Sequence, residues 1–246
     1  MFFVINLTLY IYFMRFIYFI IIAFGLSIPI KAQATIPDNY KLVYTQDFEQ
    51  PQAINTLEKT DDDVWRISEG NNGSCMELFG KSEYKPEVRS PFNIAVIKEV
   101  LVGDFIFEIK LNQNGREYPH RDLCLVFGIN NASNFYYTHI ASKADAHANS
   151  IFIVNDEPRK SIASERTDGT NWGAEDSWHT VRIVRKTQEG LIEIYFDDMT
   201  KPIMTATDTH FKSGYLGFGS FDDTGKFDDI KIWAPNTLKP KSGLFN

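Results

Sequence analysis

The chain has 246 residues, 43% of them hydrophobic, 23% charged and 14% aromatic, with a formal net charge of −7. That length supports one large domain or two small ones, and the composition excludes wholesale disorder. An acidic chain without a Lys/Arg block also lacks the electrostatic footprint of a nucleic-acid binder.

Residues 1–34 carry no acidic residue and two basic ones, Arg15 and Lys31. An apolar run follows Arg15, and Ala32-Gln33-Ala34 closes the segment with a small-x-small pattern. This order predicts a cleaved secretory signal, with an uncleaved membrane anchor as its rival. The uncharged stretch ahead of Met14 points to Met14 as an alternative start. Cleavage after Ala34 removes two positive charges and no negative ones, so the mature net charge is −7 − 2 = −9. The expected location is secreted or periplasmic, with no stable membrane insertion after cleavage.

From residue 40 onward the chain alternates with period two between turn residues, which is the strand signature. Predicted strands cover Lys41–Phe48, Val64–Ser68, Cys75–Phe79, Phe105–Leu111, Leu123–Ile129, Phe135–Ala141 and Ile151–Asn155. They continue with Thr180–Arg185, Leu191–Phe196, Ile203–Thr207, Tyr215–Ser220 and Phe227–Trp233. Asn93–Val102 is the one apolar segment read as a short helix. So many strands in residues 35–236 predict an all-β protein, one antiparallel β-sandwich followed by a polar tail at 237–246. Cys75 and Cys124 allow one disulfide in an exported chain, but their strand settings favour two buried thiols.

Three stretches sharpen the fold. Asp176-Ser177-Trp178-His179-Thr180-Val181-Arg182-Ile183 is followed by Gly190-Leu191-Ile192-Glu193-Ile194-Tyr195-Phe196-Asp197. Then come Gly214-Tyr215-Leu216-Gly217-Phe218-Gly219 and Phe227-Asp228-Asp229-Ile230. This order resembles the concanavalin A-like lectin/glucanase jelly roll over residues 40–234. The resemblance implies a carbohydrate-active protein of the secreted bacterial type. The fold hosts lectins, hydrolases, lyases and inert modules, so it does not choose among them.

The middle of the chain carries the candidate chemistry. His120, His139 and His147 fall among clustered Tyr, Arg and Asn side chains. Alternation puts Tyr137 and His139 on one strand face. Abstracting the C5 proton of a uronic acid needs a base near neutrality, which His supplies. The developing charge needs a cationic donor and the leaving oxygen needs a proton. Lys85-Pro86-Glu87-Val88-Arg89 and Tyr137-Thr138-His139 resemble strands of alginate-lyase-type jelly rolls, while the family's Tyr-Phe-Lys-Ala-Gly strand is missing. The expected mechanism is β-elimination by a lyase or dehydratase. His139 is the base, Tyr137 the proton relay and Arg89 the carboxylate neutraliser. His120, Arg121, Tyr136, His147, Asn149 and Arg159 are expected to bind substrate.

Other classes remain open. A carbohydrate-binding module would stack sugars on Tyr118, Tyr136, Tyr137 and Trp172. A retaining glycosidase needs paired carboxylates about 5 Å apart, and the family-sixteen Glu-x-Asp-x-Glu pattern is absent. A resemblance to 3-keto-disaccharide hydrolases lacks their typical entry stretch. No cofactor is required by these schemes, and no zinc spacing occurs. Glu49 near the first strand and Asp229 on the last are the candidates for a structural calcium, since a jelly roll pairs those strands.

Overall fold

The computed structural model describes residues 35–240. The segment read as a secretory leader, with its expected cleavage site, and the last six residues lie outside them. No helix among the described residues is long and apolar enough to cross a membrane.

In chain order the strands are β1 (Lys41–Gln46), β2 (Leu57–Lys59), β3 (Trp65–Glu69), β4 (Ser74–Leu78), β5 (Asn93–Val102), β6 (Phe105–Asn112), β7 (Asp122–Asn131) and β8 (Asn134–Ala141). They continue as β9 (Ser150–Asn155), β10 (Lys160–Ser161), β11 (Ala163–Arg166), β12 (His179–Lys186), β13 (Leu191–Phe196), β14 (Met204–Thr207), β15 (Gly214–Ser220) and β16 (Gly225–Ala234). One sheet runs β11-β14-β13-β12-β6-β16-β4-β3, with β1 also on β16. The other runs β10-β9-β8-β7-β15-β5-β2. The strands of both sheets pair antiparallel, and the first strand does lie against the last.

Alternation explains the first sheet. Val181 and Ile183 of β12 stand opposite Ile109 and Phe107 of β6 and point into the core. Between them Arg182 stands opposite Glu108, and its Nη2 donates to Glu108 Oε2 at 2.6 Å. Core residues therefore interleave with a charged pair on the other face.

The second sheet breaks that rule. Leu123, Leu125 and Phe127 of β7 join the inter-sheet core, with Tyr136 and Ile140 of β8 and Leu216 and Phe218 of β15. The intervening residues Cys124, Val126, Tyr137, Phe152, Ile94 and Val96 form a second apolar cluster on the opposite face. Val88, from the segment that precedes β5, packs onto it. A sheet covered on both faces needs nearly continuous apolar strands.

That requirement corrects the helix expected at Asn93–Val102. The segment is strand β5, paired with β15 from Ser220↔Asn93 to Gly214↔Val102. Its run is apolar on successive residues because both faces are buried, not because it coils. Cys75 and Cys124 are free, buried, and in different sheets.

Candidate functional site

The register of β7, β8 and β9 places the lyase-like residues. Cys124 faces His139 across one strand pair and Val126 faces Tyr137, while Tyr137 faces Phe152 across the next. Tyr137 and His139 therefore share the outer face of the second sheet, as alternation requires. Neither reaches the surface: Tyr137 is fully buried and His139 is 4% exposed.

Phe221 is the reason. It follows directly on β15, and its ring stacks on the His139 imidazole at 5.9 Å between centroids with 9° between planes. Phe92 packs beside it at 5.0 Å. The Arg159 guanidinium lies 4.3 Å from the Phe221 ring centroid, and Arg89 lies at 5.2 Å. Each is a cation–π contact. Arg159 Nη1 also donates to the Tyr137 hydroxyl at 2.9 Å, and the Arg159 amide donates to the Arg89 carbonyl at 3.1 Å. Arg89 and Arg159 are thus brought together with Tyr137 and His139, but as a lid of packed side chains.

Electrostatics complete the cover. His139 Nδ1 lies 2.9 Å from the His147 carbonyl oxygen, so it donates there. Nε2 lies 3.3 Å from Asp122 Oδ2, an ion-pair distance. Burial raises the Asp122 pKa, but His139 and the Phe221 N–H more than offset it and hold the carboxyl below its usual range. Phe221 N donates to Asp122 Oδ2 at 3.1 Å. Asp223 Oδ2 accepts from the Asp122 amide at 2.9 Å and the Tyr118 hydroxyl at 2.8 Å. Burial and the nearby Asp122 charge push Asp223 up to about 6. Burial drives the Tyr137 phenol and the Cys124 thiol well above their ordinary values, so both stay protonated. The group is a buried polar cluster in which His139 Nε2 and Arg159 Nε are left without a hydrogen-bond partner.

The remaining candidates divide. Tyr136 lies on the opposite face of β8, stacked on Phe127 in the core, and its hydroxyl donates to Asp208 Oδ1. Its expected place in the groove is therefore corrected: it sits one residue out of phase with Tyr137. Trp172, expected as an exposed stacking platform, is 1% exposed and packs edge-on against His179 and Phe196. Arg121 is buried, donating to the Gln113 carbonyl, Glu117 and the Gly173 carbonyl. Asn149 is buried between the Ala141 amide and the Thr167 carbonyl. Only His120 and His147 of this set are exposed. His120 Nε2 pairs with Asp145 Oδ2 at 2.6 Å, and Asp145 Oδ1 accepts from the His147 amide at 2.7 Å.

The calcium candidates each hold a protein partner. Asp229 Oδ2 takes Lys110 Nζ at 2.6 Å, and Glu49 Oε1 accepts the Ser74 amide at 3.0 Å. Among the described residues no group of three or more His, Cys, Asp or Glu is placed to hold a metal ion. Glu49 and Asp229 thus serve as local partners of Ser74 and Lys110.

Sequence reasoning missed Phe221, whose signal was its position just past the glycine-rich β15. It placed Asp122 in the histidine-rich middle and Asp223 among the acidic residues near the last strand, but not beside each other.

No protein-family model matches the chain, and no curated protein matches it. Solved structures do. Winged bean acidic lectin complexed with methyl-α-D-galactose superposes with a TM-score of 0.54 at 12% identity, over 80% of this chain and 100% of that one. A Bacillus subtilis protein of unknown function with a galectin-like fold gives 0.54 at 11% identity, covering 78% and 97%. A carbohydrate-binding module from Bacillus subtilis gives 0.50 at 15% identity, covering 72% and 94%. At these identities the likeness is one of fold: the chain has the concanavalin A-like jelly-roll sandwich.

Proposed function

We propose that this protein is an exported carbohydrate-binding domain that does not turn its ligand over. The observation that carries this reading is the closure of Tyr137 and His139 beneath Phe221, Arg159 and Arg89. A general base must come within about 3 Å of the proton it removes. Here His139 Nδ1 is held by the His147 carbonyl, Nε2 is buried 3.3 Å from Asp122, and the face above is filled by side chains. The β-elimination scheme, with His139 as base, Tyr137 as acid and Arg89 as neutraliser, would require that lid to leave. The carboxylates nearest to the hydrolase pattern are committed to protein partners: Asp197 accepts from the Thr180 amide and pairs with His179, while Glu193 accepts from Tyr195. The sandwich fold, shared with a lectin and a carbohydrate-binding module, supports the binding class.

The test is electrophoresis of the protein through gels containing soluble polysaccharides, alongside ultraviolet absorbance on uronate oligosaccharides. Retarded migration without absorbance from a C4–C5 double bond is expected. Absorbance that disappears in His139→Ala would instead restore the elimination mechanism.

A further inference from the structure

Two Asn-Gly pairs occur in the chain, Asn72-Gly73 and Asn114-Gly115. Asparagine followed by glycine is the pair most open to ring closure between a side-chain amide and the next backbone nitrogen. Glycine has no side chain to hinder the approach, and its backbone turns freely toward it.

The structure gives the two pairs different settings. Asn114 is half-buried, and its Oδ1 accepts from the Thr224 hydroxyl at 2.9 Å. The Gly115 amide that would attack it donates to Gln113 Oε1 at 3.0 Å. Asn72 is exposed on the loop that joins β3 to β4. That loop closes through the Gly70 amide, which donates to the Gly73 carbonyl at 2.7 Å. Among the described residues neither the Asn72 side chain nor the Gly73 amide has a hydrogen-bond partner. An exposed loop without such anchors opens at low free-energy cost.

Glu49 makes the position matter. Its Oε1 accepts the Ser74 amide, at the start of β4, at 3.0 Å. A Cβ at Gly73 would stand 2.0 Å from that same oxygen, and Gly73 has a φ of +129°, so the second residue of the pair must be glycine. Ser74 pairs with Glu69 to end the hairpin, whose other strand, β3, is at the edge of its sheet.

We infer that Asn72 is a self-modification site: it converts to aspartate and isoaspartate without an enzyme, and the isoaspartyl form loosens the β3–β4 hairpin. The Gly73 nitrogen gives its proton to solvent and attacks Asn72 Cγ. A C–N bond forms there, the Cγ–Nδ2 bond breaks, and ammonia leaves with a proton. Water then opens the succinimide. Addition at Cγ gives aspartate; addition at the main-chain carbonyl gives isoaspartate, with the backbone running through the former side chain. Nothing is oxidised or reduced. The isoaspartyl loop is one backbone carbon longer and carries a new carboxylate on the segment that Glu49 holds. Altered length and like charge both act against the Glu49–Ser74 bond.

The test incubates the folded full chain at mildly alkaline pH and follows its tryptic peptides by mass spectrometry. Asn72, in peptide 67–81, is expected to deamidate at least about tenfold faster than Asn114, in peptide 111–116, with the two rates converging in urea. Equal rates in the folded protein would overturn the site. Protein enriched in isoaspartate is then compared with fresh protein by ¹⁵N-detected amide exchange. Ser74 is expected to exchange at least about fivefold faster in the isoaspartyl form. Asn72→Gln, which lengthens the ring to be closed, should keep the fresh value after the same incubation. Unchanged Ser74 exchange in the isoaspartyl form, or equal loosening in Asn72→Gln, would overturn the effect on the hairpin.

Discussion

Asp122 and Asp223 are neighbours with opposite fates. Asp122 faces His139 and the Phe221 amide, which hold its carboxyl low. Asp223 has no such cation: burial and the Asp122 charge raise it from its ordinary 3.8 to about 6. A raised carboxyl pKa means the folded protein binds that proton more tightly than the unfolded chain. Its contribution is therefore fully present below about pH 4 and is lost as pH rises through about 6. Asp223→Asn keeps an oxygen for Tyr118 and the Asp122 amide but carries no charge. The variant is expected to gain on the native protein across that window, by about 1 kcal/mol once solvent screening of a half-buried carboxyl is allowed for. Urea unfolding from pH 4 to 7.5 measures it. A difference that does not change with pH would refute the assignment.

At the scale of elements, β15 shows how its sequence fits its place. Gly219 stands opposite Ile94 of β5 and Cys124 of β7, in the middle of the second sheet. A Cβ at Gly219 would lie 1.9 Å from the Asn93 carbonyl oxygen. Alanine ordinarily strengthens a strand relative to glycine, but here it must displace backbone. Gly219→Ala is expected to destabilise by about 1–3 kcal/mol, read as a lower midpoint in thermal unfolding; an equal or higher midpoint would contradict this close approach. Such contacts also explain what was legible. The half-exposed strands β12 and β13 follow period two and were readable at once. Strand β5 was misread because Ile94–Ile97 is apolar on both faces, which periodicity cannot separate from a buried helix. Strands β2, β10 and β11, of two to four residues, are too short to show a period. Alternation likewise put Tyr137 and His139 on one face and did so correctly. It could not say that Phe221, some eighty residues further on, lies over them, nor that Trp172 folds inward.

The described residues form two sheets around one core, with a second apolar layer on the outer face of β5, β7, β8, β9 and β15. Chain from three distant regions lies against that layer: Val88 packs on it, Arg159 lies over Phe152, and Phe221 stacks on His139 with Arg89 beside it. The face carrying the lyase-like residues is thereby turned into core. Closure of this face is the observation on which the proposed binding function rests. It is tested most directly by treating the folded protein with diethyl pyrocarbonate and mapping the modified histidines. His120, His147 and His210, all exposed, are expected to react, while His139 is spared until the protein unfolds. Modification of His139 as fast as His120, slowed by added uronate oligosaccharide, would mean an open groove with a reachable base and would contradict the account.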